Sequence, residues 1–322
     1  MRVALALVWT LASAGMATAQ PAANWPDHPL RLVVPLPAGS AVDVIARLIG
    51  QRLSLRLGQP VVVENRAGAS GTIGAEVVAK APPDGYTLGM ATSTTHMTAP
   101  VLNAKLPYDP IKDFAPVAIV GVSPYVLVVN PKVPARTVAE LIALAKAKPK
   151  TLSYSSVGNA SQAHLAGELF ASMAGVELNH IPYKTSTHAV IDLNEGRIDM
   201  QFGILGTSLA LIREGKLRAL AVTTEKRIEE LPDVPTMIEA GLPGYEVSLL
   251  FAVVMPAGTP KPIVERLNHE IVEYVTGSEV RRVLAAQAIH VVSSTPDQLR
   301  ERIAKEIELW RGIARKAGLA PE

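Results

Sequence analysis

The chain contains no cysteine, which excludes disulfides, thiolate metal sites and cysteine nucleophiles. Aromatic residues make up only 4% of it, too few for the stacking platforms that hold bases or sugars. Neither sign of charge dominates, since 31 Lys and Arg stand against 29 Asp and Glu for a formal charge of +2. An electrostatic nucleic-acid binder needs a strong basic excess, so no nucleic acid is expected as a partner. The seven histidines show neither H-x-x-x-H nor H-E-x-x-H spacing, so no metal site is expected. Gly68 to Gly74 spaces its glycines as G-x-x-G-x-x-G, which misses the dinucleotide fingerprint G-x-G-x-x-G. Phosphate-loop and nucleophile-elbow motifs are also missing. No cofactor is expected.

What is present is a chain of 322 residues, 48% hydrophobic and 19% charged. That describes a globular protein of about two ordinary domains. Its start reads as a targeting segment. A basic Met1-Arg2 precedes a short apolar run, and Ala17-Thr18-Ala19 supplies a small-x-small cleavage pattern. Residues 1–19 are therefore expected to be a cleaved secretory signal. A membrane anchor is the alternative, disfavoured because the run falls short of the roughly 20 residues a span needs.

From Leu30 onward short apolar runs alternate with helical periodicity. Leu30 to Pro35 reads as a buried strand, and Val42, Ile45, Ala46, Ile49 and Leu53 share one helix face. Ser40 with Asp43 resembles a capping box, as do Thr137 with Glu140 and Thr295 with Gln298. A helix over 71–80 is expected to be interrupted early by Gly74. Further strands are expected over 60–63, 87–91, 152–155, 180–183, 198–203 and 217–223, with two helices closing the chain. This alternation predicts right-handed βαβ units and a largely parallel sheet.

Two long apolar segments, 117–129 (broken by Ser123-Pro124) and 247–255, read as connections between two α/β lobes. A chain that leaves one lobe and returns to it makes a two-stranded hinge able to close on a ligand. The expected division is 24–122 plus 247–322 for lobe 1 and 123–246 for lobe 2. One continuous sheet is the alternative.

Candidate binding positions lie in strand-to-helix turns rich in Gly, Ser and Thr and poor in charge: 35–40, 68–74, 92–95 (with Ser93 and Thr94) and 158–161. In open α/β sheets ligands sit beyond the carboxyl ends of strands, and helix-start N–H groups attract anions there. The inferred ligand is a small anion. Ser161 and His164, one helical turn apart, admit a nucleophile–base reading, but Ser161 as a helix cap is the simpler one, because a triad also needs a carboxylate and oxyanion donors. Asp43 suits a helix first turn, and Asp199 is expected to pair with Arg197. Phe202 lines a cleft or belongs to the core.

These residues resemble the Bug family, the periplasmic solute-binding proteins of tripartite tricarboxylate transporters. The resemblance is carried by Pro35-Leu36-Pro37-Ala38-Gly39-Ser40 with Asp43, Val63-Glu64-Asn65-Arg66-Ala67-Gly68, and Pro83-Asp84-Gly85-Tyr86. His164-Leu165-Ala166-Gly167-Glu168, Pro182-Tyr183-Lys184 and Leu231-Pro232-Asp233-Val234-Pro235 continue it, over essentially the whole chain after the signal. It implies a two-lobed periplasmic-binding-protein fold, type II-like, each lobe a mostly parallel sheet flanked by helices and joined by two hinge segments. It implies a binding protein, not an enzyme: a monomeric periplasmic receptor that captures a di- or tricarboxylate or an aromatic acid. The acid then passes to the membrane permease subunits of such a transporter. In that family main-chain amides of the first strand–helix loop and ordered water hold the carboxylate. Here that loop is Pro37, Ala38, Gly39 and Ser40. The opposing loop contains Asn159, Ala160, Ser161 and His164, with Thr185 and Phe202 as further cleft candidates. Ser40, Ala160 and Thr185 stand where the family usually has glycine, and His188 where it has proline, which implies a reshaped pocket. An orphan receptor feeding a signalling partner and a secreted hydrolase are the alternative functions.

Overall fold

The structure, a computed structural model, describes residues 25–159, 161–316 and 318–319. The expected signal at 1–19 and Ala160 lie outside the described residues. The first part of the chain runs β1 (Leu30–Val34), α1 (Ala41–Leu57), β2 (Val61–Asn65), α2 (Thr72–Ala79) and β3 (Thr87–Thr92). A π turn at Thr94–Thr98 leads into α3 (Ala99–Leu102) and the long β4 (Phe114–Val129). Next come α4 (Val138–Ala147), β5 (Ser153–Ser156), α5 (Gln162–Ala174), β6 (Asn179–Pro182) and α6 (Ser186–Glu195). Then follow β7 (Met200–Ile204), α7 (Leu205–Arg213), β8 (Arg218–Val222) and β9 (Ser248–Pro256). The chain closes with α8 (Lys261–Thr276), α9 (Ser278–Ala285) and α10 (Pro296–Lys316).

The strands lie in the order β2-β1-β3-β9-β4-β7-β5-β6, with β8 also on β4. β1, β2 and β3 are parallel, and so are β5, β6 and β7, as βαβ alternation requires. β9 and β4 enter antiparallel, an admixture the periodicity did not reveal. β4 joins the two halves. From Phe114 to Pro124 it pairs with β9, and from Tyr125 to Val129 with β7 and β8. Ser123-Pro124 does not end a strand as expected; it stands where β4 changes partners, so the N–H that proline lacks is not missed. The return crossing is Val247, whose N–H donates to Thr223 O just before β9 begins. The result is a two-lobed α/β fold built on one continuous strand path.

Local chemistry explains the element ends. Ser40, Thr137, Ser161 and Thr185 are N-caps whose side chains accept the N–H three residues on. The Thr295–Gln298 box is reciprocal, with Gln298 Oε1 accepting Thr295 N–H and Thr295 Oγ1 accepting Gln298 N–H. α9, between the two expected C-terminal helices, has no such cap and was not foreseen. Gly74 does not interrupt α2. A Cβ there would stand 2.7 Å from Pro35 Cα and 2.8 Å from Arg66 O, so glycine lets α2 lie directly on the end of β1.

One core cluster runs through both lobes, and a second, smaller one around Val126, Val128, Leu193 and Leu205 lies on the other face of β4 and β7 in the second lobe. Phe202, on β7, is fully buried with its ring 5.7 Å from Phe170 and 5.9 Å from Tyr245. Of its two readings the core one holds, and Phe202 does not line the cleft. Asp199 does not pair with Arg197; its carboxylate accepts Ser153 N–H and Oγ–H, tying β7 to β5, while Arg197 pairs with Asp192 and Glu195. α10 packs on α3 and the π turn of the first lobe and on α5 of the second.

His96 lies on the π turn, 1% exposed, with its ring 4.5 Å from that of Phe114. Nδ1 meets Thr95 Oγ1 at 2.9 Å, and Nε2 has no partner among the described residues. Burial pulls its pKa down to about 3. A folded-state value below the unfolded one means that stability is full above about pH 6.5 and falls as the pH drops toward the folded value. Between pH 7 and 5 this group is expected to cost about 2 kcal/mol. Urea unfolding of His96→Leu at both pH values should show a correspondingly smaller acid loss than wild type.

Candidate functional site

The topology brings the carboxyl ends of the parallel strands of both lobes to one place. Thr92, the last residue of β3, pairs with Phe251, and Ile204, the last of β7, pairs with Tyr125. Both ends therefore point at the middle of β4, where it passes from one lobe to the other. The turns after β1, β2 and β3 thus face those after β5, β6 and β7 across the hinge. This is the crevice position that open α/β sheets use for ligands.

The β1–α1 turn is rigid for an identifiable reason. The Asp43 carboxylate, 2% exposed, accepts Gly39 N–H at 2.9 Å, Asn65 Nδ2 at 2.9 Å and both Arg47 Nε and Nη2. Asn65 also donates to Leu36 O at 3.0 Å. Burial would raise the Asp43 pKa, but hydrogen bonds from Arg47, Gly39 and Asn65 outweigh it and hold the carboxyl below its ordinary value. The same Arg47 pair offsets a negative charge that would otherwise repel an incoming anion. Gly39 takes φ +79°, a conformation glycine adopts without steric cost.

The amides expected to grip an anion are redistributed by these bonds. Pro37 has no N–H, Gly39 N–H goes to Asp43, and Ser40 N–H goes to Pro37 O. Ser40 Oγ caps Asp43 N–H. That leaves Ala38 N–H within the expected loop and, just beyond it, the first-turn N–H groups of Ala41 and Val42, which have no intrahelical acceptor.

The β2–α2 turn carries backbone strain. Gly68, Ala69, Ser70 and Gly71 all have positive φ, at 138°, 45°, 55° and 94°. Two consecutive non-glycine residues there cost of order 1 kcal/mol each, a pattern that gathers at functional sites. Ser70 comes against the other lobe: a Cβ on Gly158 would stand 3.2 Å from Ser70 Oγ.

In the second lobe, Ser161 Oγ is buried and accepts His164 N–H while Ser161 N–H goes to Gly158 O. A buried, capping hydroxyl is no nucleophile, so Ser161 and His164 do not form a hydrolytic pair. The N–H groups of Gln162 and Ala163, in the first turn of α5, have no intrahelical acceptor. The Gln162 side chain reaches across the hinge and donates to Ser248 O at 2.9 Å. Thr185 caps α6 through His188 N–H, and His188 itself is exposed. Asn159 is exposed at the turn.

Ser93 is fully buried, its Oγ accepting Leu250 N–H at 2.9 Å and contacting Ser248 O. It is thereby committed to joining β3 to β9, whereas Thr94 is half-buried at the start of the π turn. Asn65 and Gln162 escaped prediction as site residues, and Ser70 entered only as part of the 68–74 turn. Asn65 stood within a family segment, but nothing local shows that its amide bridges Leu36 and Asp43.

The family described as "Tripartite tricarboxylate transporter family receptor" matches residues 45–319. Protein BugT of Bordetella pertussis is 41% identical over 309 residues, covering 96% of this chain and 95% of BugT. Among solved structures, R. palustris Rpa4515 with adipate is 39% identical at a TM-score of 0.86, covering 92% of this chain and 100% of that one. MatC from Rhodopseudomonas palustris with bound malate is 32% identical at a TM-score of 0.82, covering 90% and 99%. These neighbours are binding proteins rather than enzymes. Among the described residues, no helix is long and apolar enough to cross a membrane.

Proposed function

Because the chain belongs to the tripartite tricarboxylate transporter receptor family, we propose that it is a periplasmic receptor for a small carboxylate, delivered to membrane permease subunits of that transporter class. The observation that carries this reading is the meeting, across one hinge, of helix starts from two lobes whose capping groups are uncharged. Oriented N–H groups and helix dipoles attract an anion without a cationic clamp, and bridging waters adapt the grip to its shape.

In this reading one carboxylate sits against the turn formed by Ala38, Gly39 and Ser40 and the first N–H groups of α1. Asn159, Ala160 and Ser161 with the start of α5 close on it from the second lobe, near His164. Thr94 borders the first lobe's side, and Thr185 with His188 faces the far end of the ligand. The lobes are 24–122 plus 247–322 and 123–246, and the segment 1–19 is removed on export. Closure is driven by the ligand's greater affinity for the closed state, and the permease reads that state.

A neighbour solved with adipate and another with malate make C4 to C6 dicarboxylates the first compounds to test. Purified protein should be heated with a panel of mono-, di- and tricarboxylates, aromatic acids and the corresponding methyl esters. At a hundredfold excess over Kd an acid adds about 2.7 kcal/mol, expected as a rise of a few degrees in Tm. Esters lack the anion and should leave Tm unchanged. If no acid in the panel shifts Tm, or if esters match the acids, the carboxylate reading fails.

A further inference from the structure

Beneath the second lobe's turn lie two side chains, His180 and Ser156, that the binding reading leaves unused. His180, on β6, stacks on His164, with ring centroids 4.0 Å apart and planes 16° from parallel. Its Nε2 is 2.7 Å from Ser156 Oγ. The Ser156 hydroxyl also meets the next turn twice, 2.9 Å from Gly158 O and 3.2 Å from Gly158 N. A hydroxyl donates one hydrogen bond and accepts up to two. It accepts Gly158 N–H, and the buried arrangement is complete only if it donates to Gly158 O and accepts from His180. The imidazole must then carry its proton on Nε2.

The ionisable groups packed around His180 are Tyr154 on β5, at 4.9 Å between ring centroids, and His164 on α5. Behind them, Glu168 on α5 lies 3.8 Å from His164 Nε2 and accepts the Tyr154 hydroxyl. A positive charge on His180 is disfavoured by burial and by the imidazole of His164 stacked on it.

We propose that His180 is a positioning residue for the second lobe's ligand turn: through the Ser156 hydroxyl it fixes the main chain of Gly158, and its stacking on His164 links that hold to protonation. Gly158 O in turn receives Ser161 N–H, so the imidazole acts on the cap of α5 through three successive hydrogen bonds. Burial and the neighbouring His164 push the His180 pKa down to about 4, which keeps the neutral Nε2–H form across the ordinary pH range. The proposal rests on the reading of 158–161 as a ligand turn, and its test needs no ligand.

In the ligand-free full chain labelled with 15N, the Gly158 amide signal is expected to move with a midpoint near pH 4 as His180 titrates. His180→Gln keeps an N–H donor but does not titrate, so the Gly158 signal should hold its position at neutral pH and lose that transition. His180→Phe keeps a ring for stacking but no donor, and amide exchange at Gly158 and Ser161 should speed up roughly three- to tenfold, the loss of one hydrogen bond. Ser156→Ala should do the same while leaving His180 in place. Unchanged exchange in a folded His180→Phe or Ser156→Ala variant overturns the proposal. So does a Gly158 transition that survives in His180→Gln. Either failure would leave the carboxylate panel untouched.

Discussion

Asp43→Ala is expected to weaken binding of the acid selected in the carboxylate panel by at least tenfold, about 1.4 kcal/mol. The loss does not come from a missing ligand contact. The Asp43 carboxylate is the acceptor that joins Gly39 N–H, Asn65 and Arg47, and without it Gly39 loses its tie to α1 and β2. The partly buried Asn65 amide also loses an acceptor, at a stability cost of about 1–3 kcal/mol. Isothermal titration and urea unfolding of the variant read the two effects separately. Asp43→Asn keeps the shape and one acceptor oxygen but removes the charge opposite Arg47, so it should fall between wild type and Asp43→Ala. Wild-type affinity in a folded Asp43→Ala protein would show that the turn does not position the ligand.

Gly74→Ala should be the most damaging single methyl group near the site. Its new Cβ would press on Pro35 Cα at 2.7 Å and Arg66 O at 2.8 Å. Both are main-chain atoms at the ends of β1 and β2, so no flexible side chain can swing aside. Either α2 lifts from the sheet or the β1–α1 turn shifts, at an expected cost of about 1–3 kcal/mol. Ligand affinity should drop with it, because the displaced atoms carry the turn. Gly312 in α10 is the control, with nothing within 4 Å of its position. Alanine there should instead stabilise by up to about 1 kcal/mol through helix propensity. Equal unfolding midpoints for Gly74→Ala and wild type would refute the close-approach account of this glycine.

Much of this protein is readable residue by residue where the physics is short-range. Ser40, Ser161 and Thr185 are helix caps because a hydroxyl three residues before a free N–H can reach it. The same reasoning fails at α9, which opens after Gly277 with no side-chain cap to announce it. Period-two alternation places Phe202 on a strand face but does not say which face meets solvent. Only its packing against Phe170 and Tyr245 does. Pro124 looks like the end of a strand until the partner exchange along β4 makes its missing donor harmless.

Local alternation, capping chemistry and the ordered family segments were enough to establish the α/β class, the helix starts that carry a side-chain cap and the kind of protein this is. They act within about one helical turn or along one strand, and side chains alone express them. Tertiary structure decided which helix starts meet and which amides stay free to meet a ligand. Asp43 takes Gly39 N–H, Gln162 reaches Ser248 O from 86 positions away, and Ser70 comes against Gly158. Contacts such as the last two join residues far apart in the chain, brought together only when β4 passes from one lobe to the other, and no periodicity in the sequence encodes that meeting.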